Sequence, residues 1–150
     1  MPMRLGDAIK PCGPVIDAKA AARARAAFGE GLALAEATWA ALDPMFAASP
    51  YLTSLARRNP ARLGSLLADD PTARLEDLLA RTLTVSQGLP GEAEGVLRRL
   101  KQELHLLTAL ADLGGVWDLD QVTGALTRFA DAALRASLVV AARQELGLFF

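Results

Sequence analysis

Arg98, Lys101, His105 and Asp112 are the side chains of this sequence whose types and spacing could act together. At about 100° per residue they fall on one face of a helix, opposite a stripe of Leu97, Leu100, Leu104 and Leu107. Two cations, an imidazole and a carboxylate could contact a nucleotide, a protein substrate or a neighbouring domain. The competing account is a solvated polar face. His105 is the only histidine, and no Glu or Asp stands beside it with HExxH-type spacing. A metal site would therefore need ligands converging from separate helices. The sequence has no GxxxxGK[ST] loop, GxSxG elbow or CxxC pair, and a single histidine in a helical text gives no triad signal. Catalytic, cofactor-binding and metal residues are thus expected to be absent, and the polar face is a candidate contact surface.

The elements that must position these residues are helical. The chain has 150 residues, enough for one domain, and its 52% hydrophobic content comes mostly from Ala and Leu, with only 5% aromatics. Ala and Leu favour helix, and β-branched residues are sparse, so the composition predicts an all-α fold. With 16 basic and 17 acidic residues the net charge is −1, and no basic stripe suggests nucleic-acid binding. The single Cys12 suits a reducing cytosol. No signal-peptide pattern or apolar run of about 18 residues points to secretion or a membrane span, so a soluble, cytoplasmic protein is expected.

Breakers at Pro11, Gly13 and Pro14 predict a flexible lead-in over residues 1–16, with a helical domain over 17–150. Asp17 is a helix N-cap, and Gly29 and Gly31 predict a kink or break. Ser49-Pro50, Asn59-Pro60 and Asp70-Pro71 each place a capping side chain before a proline, whose missing N–H costs nothing at a helix start. They predict helices over 50–58, 60–68 and 71–86. A further helix is expected over 92–113, ended by a left-handed cap at Gly114-Gly115. Asp118 and Gln121 form a capping box for the last helix. Its seam, Val122, Leu126, Phe129, Ala133, Ala136 and Val140, predicts antiparallel packing on the preceding helix. Asp131 and Arg135 are spaced for a weak pair. The expected architecture is a compact bundle of five to seven helices with no sheet.

Leu148, Phe149 and Phe150 end the chain on an exposed-looking apolar run. Either it tucks into this domain or the chain was cut where a further domain begins; the second account is favoured. These three join Arg98, Lys101, His105 and Asp112 as candidate domain or partner contacts.

Two segments, SPYLTSLARRNP at 49–60 and LRRLKQELHLLTALADLGGVWDLDQVTGALTRFADAALRAS at 97–137, resemble the glutamine-synthetase adenylyltransferase family (glutamate–ammonia-ligase adenylyltransferases). Arg98-Arg99, Glu103, Asp112-Leu113 and Ala130-Asp131 occur in family-like order. The resemblance implies helices that precede the first of two nucleotidyltransferase domains in a bifunctional enzyme of nitrogen assimilation. One such domain removes AMP from a tyrosine of glutamine synthetase, with phosphate as acceptor and ADP as product. The other adds AMP from ATP, and the PII signalling protein biases the balance. Mg2+ and ATP are implied for the parent enzyme, and no cofactor for this segment. The family's Gly-Ser and Asp-x-Asp elements would lie beyond Phe150. Gly64-Ser65 and Asp69-Asp70 share the residue types, but the aspartates are adjacent and Asp70 is better used as the cap before Pro71. The resemblance therefore implies an N-terminal helical fragment that shapes or positions and is inactive alone. The alternative is a stand-alone α-helical interaction module.

Overall fold

Ser49, Asn59 and Asp70 set three helix starts as their types require. Their side chains accept from the backbone N–H groups of Leu52 (3.1 Å), Arg62 (3.1 Å) and Ala73 (2.9 Å). The computed structural model describes residues 2–89 and 91–147. Among these residues it holds eight α-helices and no strand: α1 (Leu5–Ala8), α2 (Ala18–Phe28), α3 (Glu36–Ala48), α4 (Pro50–Arg57), α5 (Pro60–Ala68), α6 (Pro71–Leu83), α7 (Ala93–Leu113) and α8 (Leu119–Leu146). The all-α expectation holds. One helix more than the expected five to seven appears, because α1 is a single turn that carries no amphipathic repeat.

α7 is the central helix. Leu100, Leu104 and Leu107 are buried, as the stripe predicts, and Ala111 with them, while Leu97 is only partly so. Leu106, Thr108 and Leu110 are buried as well, because α4, α5, α6 and α8 all contact α7 and enclose more than half its girth. α8 lies against both α6 and α7. That double seat moves its buried arc to Ala125, Phe129, Ala132 and Ala136. Leu126, expected in the seam, is instead 40% exposed. Three alanines in the arc let the backbones approach closely. The capping box of α8 is present as expected. Arg128 pairs with Glu76 of α6 (2.6 Å), and among the described residues no ion pair joins Asp131 to Arg135. At the other end, Phe28 packs on Trp39 and Phe46, with ring centroids 5.9 and 5.6 Å apart.

Residues 5–10 form a docked strut where a loose lead-in was expected. Leu5 and Ile9 are buried, the Leu5 N–H donates to the Asp69 carbonyl (2.8 Å), and the Lys10 N–H donates to that of Gly114 (2.9 Å). The two apolar side chains are four residues apart and too few to register as a period. The glycine pair divides its labour: Gly115 has φ +73°, whereas Gly114 has ordinary helical φ and faces Ile9 so closely that a Cβ would stand 2.5 Å from its Cγ2.

Candidate functional site

Glu103 lies on the apolar arc of α7 between Leu100 and Leu107, and its side chain is only 6% exposed. A carboxylate there requires counter-charges, and α6 supplies two from one face, two turns apart. Arg74 Nη2 donates to Oε1 at 2.6 Å, and Arg81 Nη2 donates to Oε2. Arg74 also donates to Ser65 Oγ (2.7 Å) and Asp69 Oδ2 (2.8 Å). Burial pulls the Arg74 pKa down, but the hydrogen bonds it donates to Glu103 and Asp69, with their charges, outweigh it and hold the group above the ordinary arginine value.

These residues form one wall of a cleft of about 700 Å³ between α5, α6 and α7. Arg62, Arg74, Arg81 and Arg99 line it, with Glu92 and Glu103 as the lining carboxylates and Val85, Val96 and Leu100 as apolar surface. Asp69 and Asp77 pair with Arg74 and Arg81 from outside the lining, which leaves Arg62 and Arg99 with only Glu92 facing the same space. Arg62 has no ion pair among the described residues; its hydrogen bond goes to the Leu55 carbonyl at 3.4 Å. Desolvation lowers its pKa, with Arg58 and Arg74 adding like-charge repulsion against the attraction of Glu103.

The predicted polar face exists but is a different surface. Arg98 is exposed and pairs with Glu94 of its own helix (2.8 Å). Lys101 and Asp112 are exposed. His105 is half-buried, with Nδ1 3.1 Å from the Tyr51 hydroxyl of α4; burial, then Lys101, lowers its pKa. Asp112 stands two turns beyond His105 on the same helix, so the four side chains do not converge. Leu148, Phe149 and Phe150 lie outside the described residues. No single stretch of sequence marks the cleft, because its arginines come from three helices. Glu103, a carboxylate inside a leucine stripe, was the one signal on a single helix that could have exposed it.

A sequence model of the family described as glutamate-ammonia ligase adenylyltransferase matches residues 39–149, which take in every helix from α4 to α8 and with them the cleft. The chain belongs to that family. It is 55% identical over 147 residues to the bifunctional glutamine synthetase adenylyltransferase/adenylyl-removing enzyme of Caulobacter vibrioides, covering 95% of this chain and 15% of that protein. The enzyme of the same name from Xanthobacter autotrophicus is 50% identical over 91 residues, 60% of this chain and 9% of its own. One from Rhodopseudomonas palustris is 43% identical over 109 residues, 71% of this chain and 11% of its own. The chain thus spans a small part of the length of these adenylyltransferases. No solved structure matches it.

For an adenylyltransferase-family segment, the implied Mg2+ raises the question of ligands. Among the described residues no three His, Cys, Asp or Glu side chains gather to hold a metal ion. Asp69 is paired with Arg74, and Asp70 caps α6. These residues do not fit a metal centre. What the family's helices do offer here is a basic cleft and, on α8, exposed apolar side chains at Leu126, Leu134 and Leu138, the last two 59% and 61% exposed. Among the described residues no helix is long and apolar enough to cross a membrane.

Proposed function

We propose that this chain is a non-catalytic helical module of the bifunctional enzyme that adenylylates and deadenylylates glutamine synthetase. The observation that carries this is the 55% identity to the Caulobacter vibrioides enzyme, sustained across 95% of the chain and so across the helical framework as a whole. The module's task is structural: the exposed Leu126, Leu134 and Leu138 of α8 seat it on an adjoining nucleotidyltransferase domain. That domain uses ATP and Mg2+, the parent polypeptide acts on glutamine synthetase under the influence of PII, and it works in the cytoplasm. A chimera tests this. The matching segment of the Caulobacter vibrioides enzyme is replaced by this chain, and transfer of AMP to and from glutamine synthetase is measured. Both activities should be retained, should fall on introducing Leu134→Asp with Leu138→Asp, and should be absent from the 150-residue chain alone. ADP release by the isolated chain, or a folded but inactive chimera, would refute the proposal.

A further inference from the structure

We propose that the cleft between α5, α6 and α7 binds a small phosphate-bearing molecule, its phosphate held by Arg62 and Arg99 and its body lying on Val85, Val96 and Leu100. The roles of the four arginines divide by what already occupies them. Arg74 is held by Glu103 and Asp69, and Arg81 by Glu103 and Asp77, which fixes both as part of the wall. Arg62 and Arg99 have no carboxylate partner among the described residues, and both line the cavity. A partly buried guanidinium with only a 3.4 Å bond to a carbonyl is an incompletely compensated charge, and an oxyanion is the group its planar fork matches. Burial, the main cause of the lowered Arg62 pKa, agrees with a guanidinium taken from water without a direct counter-ion.

Charge and size then narrow the ligand. Arg62 and Arg99 are two guanidiniums without an ion pair among the described residues, and a phosphate monoester near neutral pH brings about −1.5 to −2 and three oxygens that two planar forks can share. A single carboxylate offers two oxygens and one charge, a match for one of the two guanidiniums. The cavity, about 700 Å³, falls within the roughly 300–1,000 Å³ of small-molecule sites, far more than a phosphate ion fills. The apolar wall calls for a body with an apolar or planar face. This site is independent of the seat on α8 and of any activity of the parent enzyme.

Calorimetric titration of the purified 150-residue chain with 1-naphthyl phosphate, AMP, inorganic phosphate, 1-naphthol and succinate tests the assignment. The two phosphomonoesters should bind, inorganic phosphate should bind about tenfold more weakly, and naphthol and succinate should show no saturable binding. Arg62→Gln and Arg99→Gln should each weaken phosphomonoester binding about tenfold, the loss of one charge-assisted contact, while Arg98→Gln on the other face should leave it unchanged. If Arg62→Gln fails to fold by circular dichroism, Arg99→Gln decides. Absence of phosphomonoester binding, equal binding of succinate, or affinity untouched by Arg99→Gln would overturn the proposal.

Discussion

At the scale of single residues, Glu103 joins α7 to α6 through Arg74 and Arg81. Removing one partner of a buried pair leaves uncompensated charge behind. Arg81 is 43% exposed and Arg74 keeps Asp69, so Glu103→Ala should cost about 3 kcal/mol, the low end for buried pairs, measured by urea denaturation. Arg98→Ala, which breaks only an exposed bond within α7, should cost less than about 0.5 kcal/mol. A neutral Glu103→Ala would mean the guanidiniums find solvent on their own. His105, the chain's only histidine, offers a single imidazole signal to follow by NMR. Burial and Lys101 place its folded-state pKa below the ordinary value of about 6.5. As pH falls below that value the unfolded chain takes up the proton first, so stability should decline toward the lower folded pKa, and rise again as pH increases through the same window. His105→Gln should flatten that dependence. An imidazole titrating above about 6.5 in the folded chain would show that the Tyr51 contact favours the cation.

The helices show which signals a sequence carries. A cap and a proline encode a start locally, and the observed α4, α5 and α6 begin where Ser49, Asn59 and Asp70 place them. Asp43-Pro44 is the same pair of residue types, yet it lies inside α3, with Pro44 buried and Asp43 paired with Arg25 of α2 (3.1 Å). Tertiary contacts there outweigh the local preference for a break. The stripe on α7 was legible because one face of a helix is a periodic property. The arc of α8 was not, since its centre depends on where two neighbours stand. Leu107 and Phe129 are both in the core, and truncation of either to Ala should cost about 2–5 kcal/mol by chemical denaturation. Leu126→Ala should cost less than about 1 kcal/mol, and a loss as large as that of Leu107→Ala would restore the seam predicted from the sequence.

For the molecule as a whole, helix content and the lack of sheet among the described residues follow from composition, whereas closure does not. The cleft needs α5, α6 and α7 together, and the strut at residues 5–10 needs both the Asp69 carbonyl at the end of α5 and Gly114 at the end of α7. Neither is visible in any one segment. The strut also sets an order of events during synthesis. Lys10 leaves the ribosome about a hundred residues before the Gly114 carbonyl that receives its N–H, an interval of roughly 5–20 s at ordinary elongation rates. Throughout that interval Ile9 lacks the Gly114 surface it finally packs against, whereas Leu5 can meet α5 as soon as Asp69 has emerged. The end of the strut is therefore held last, and a partner that meets the nascent chain encounters an Ile9 side chain that the folded protein conceals.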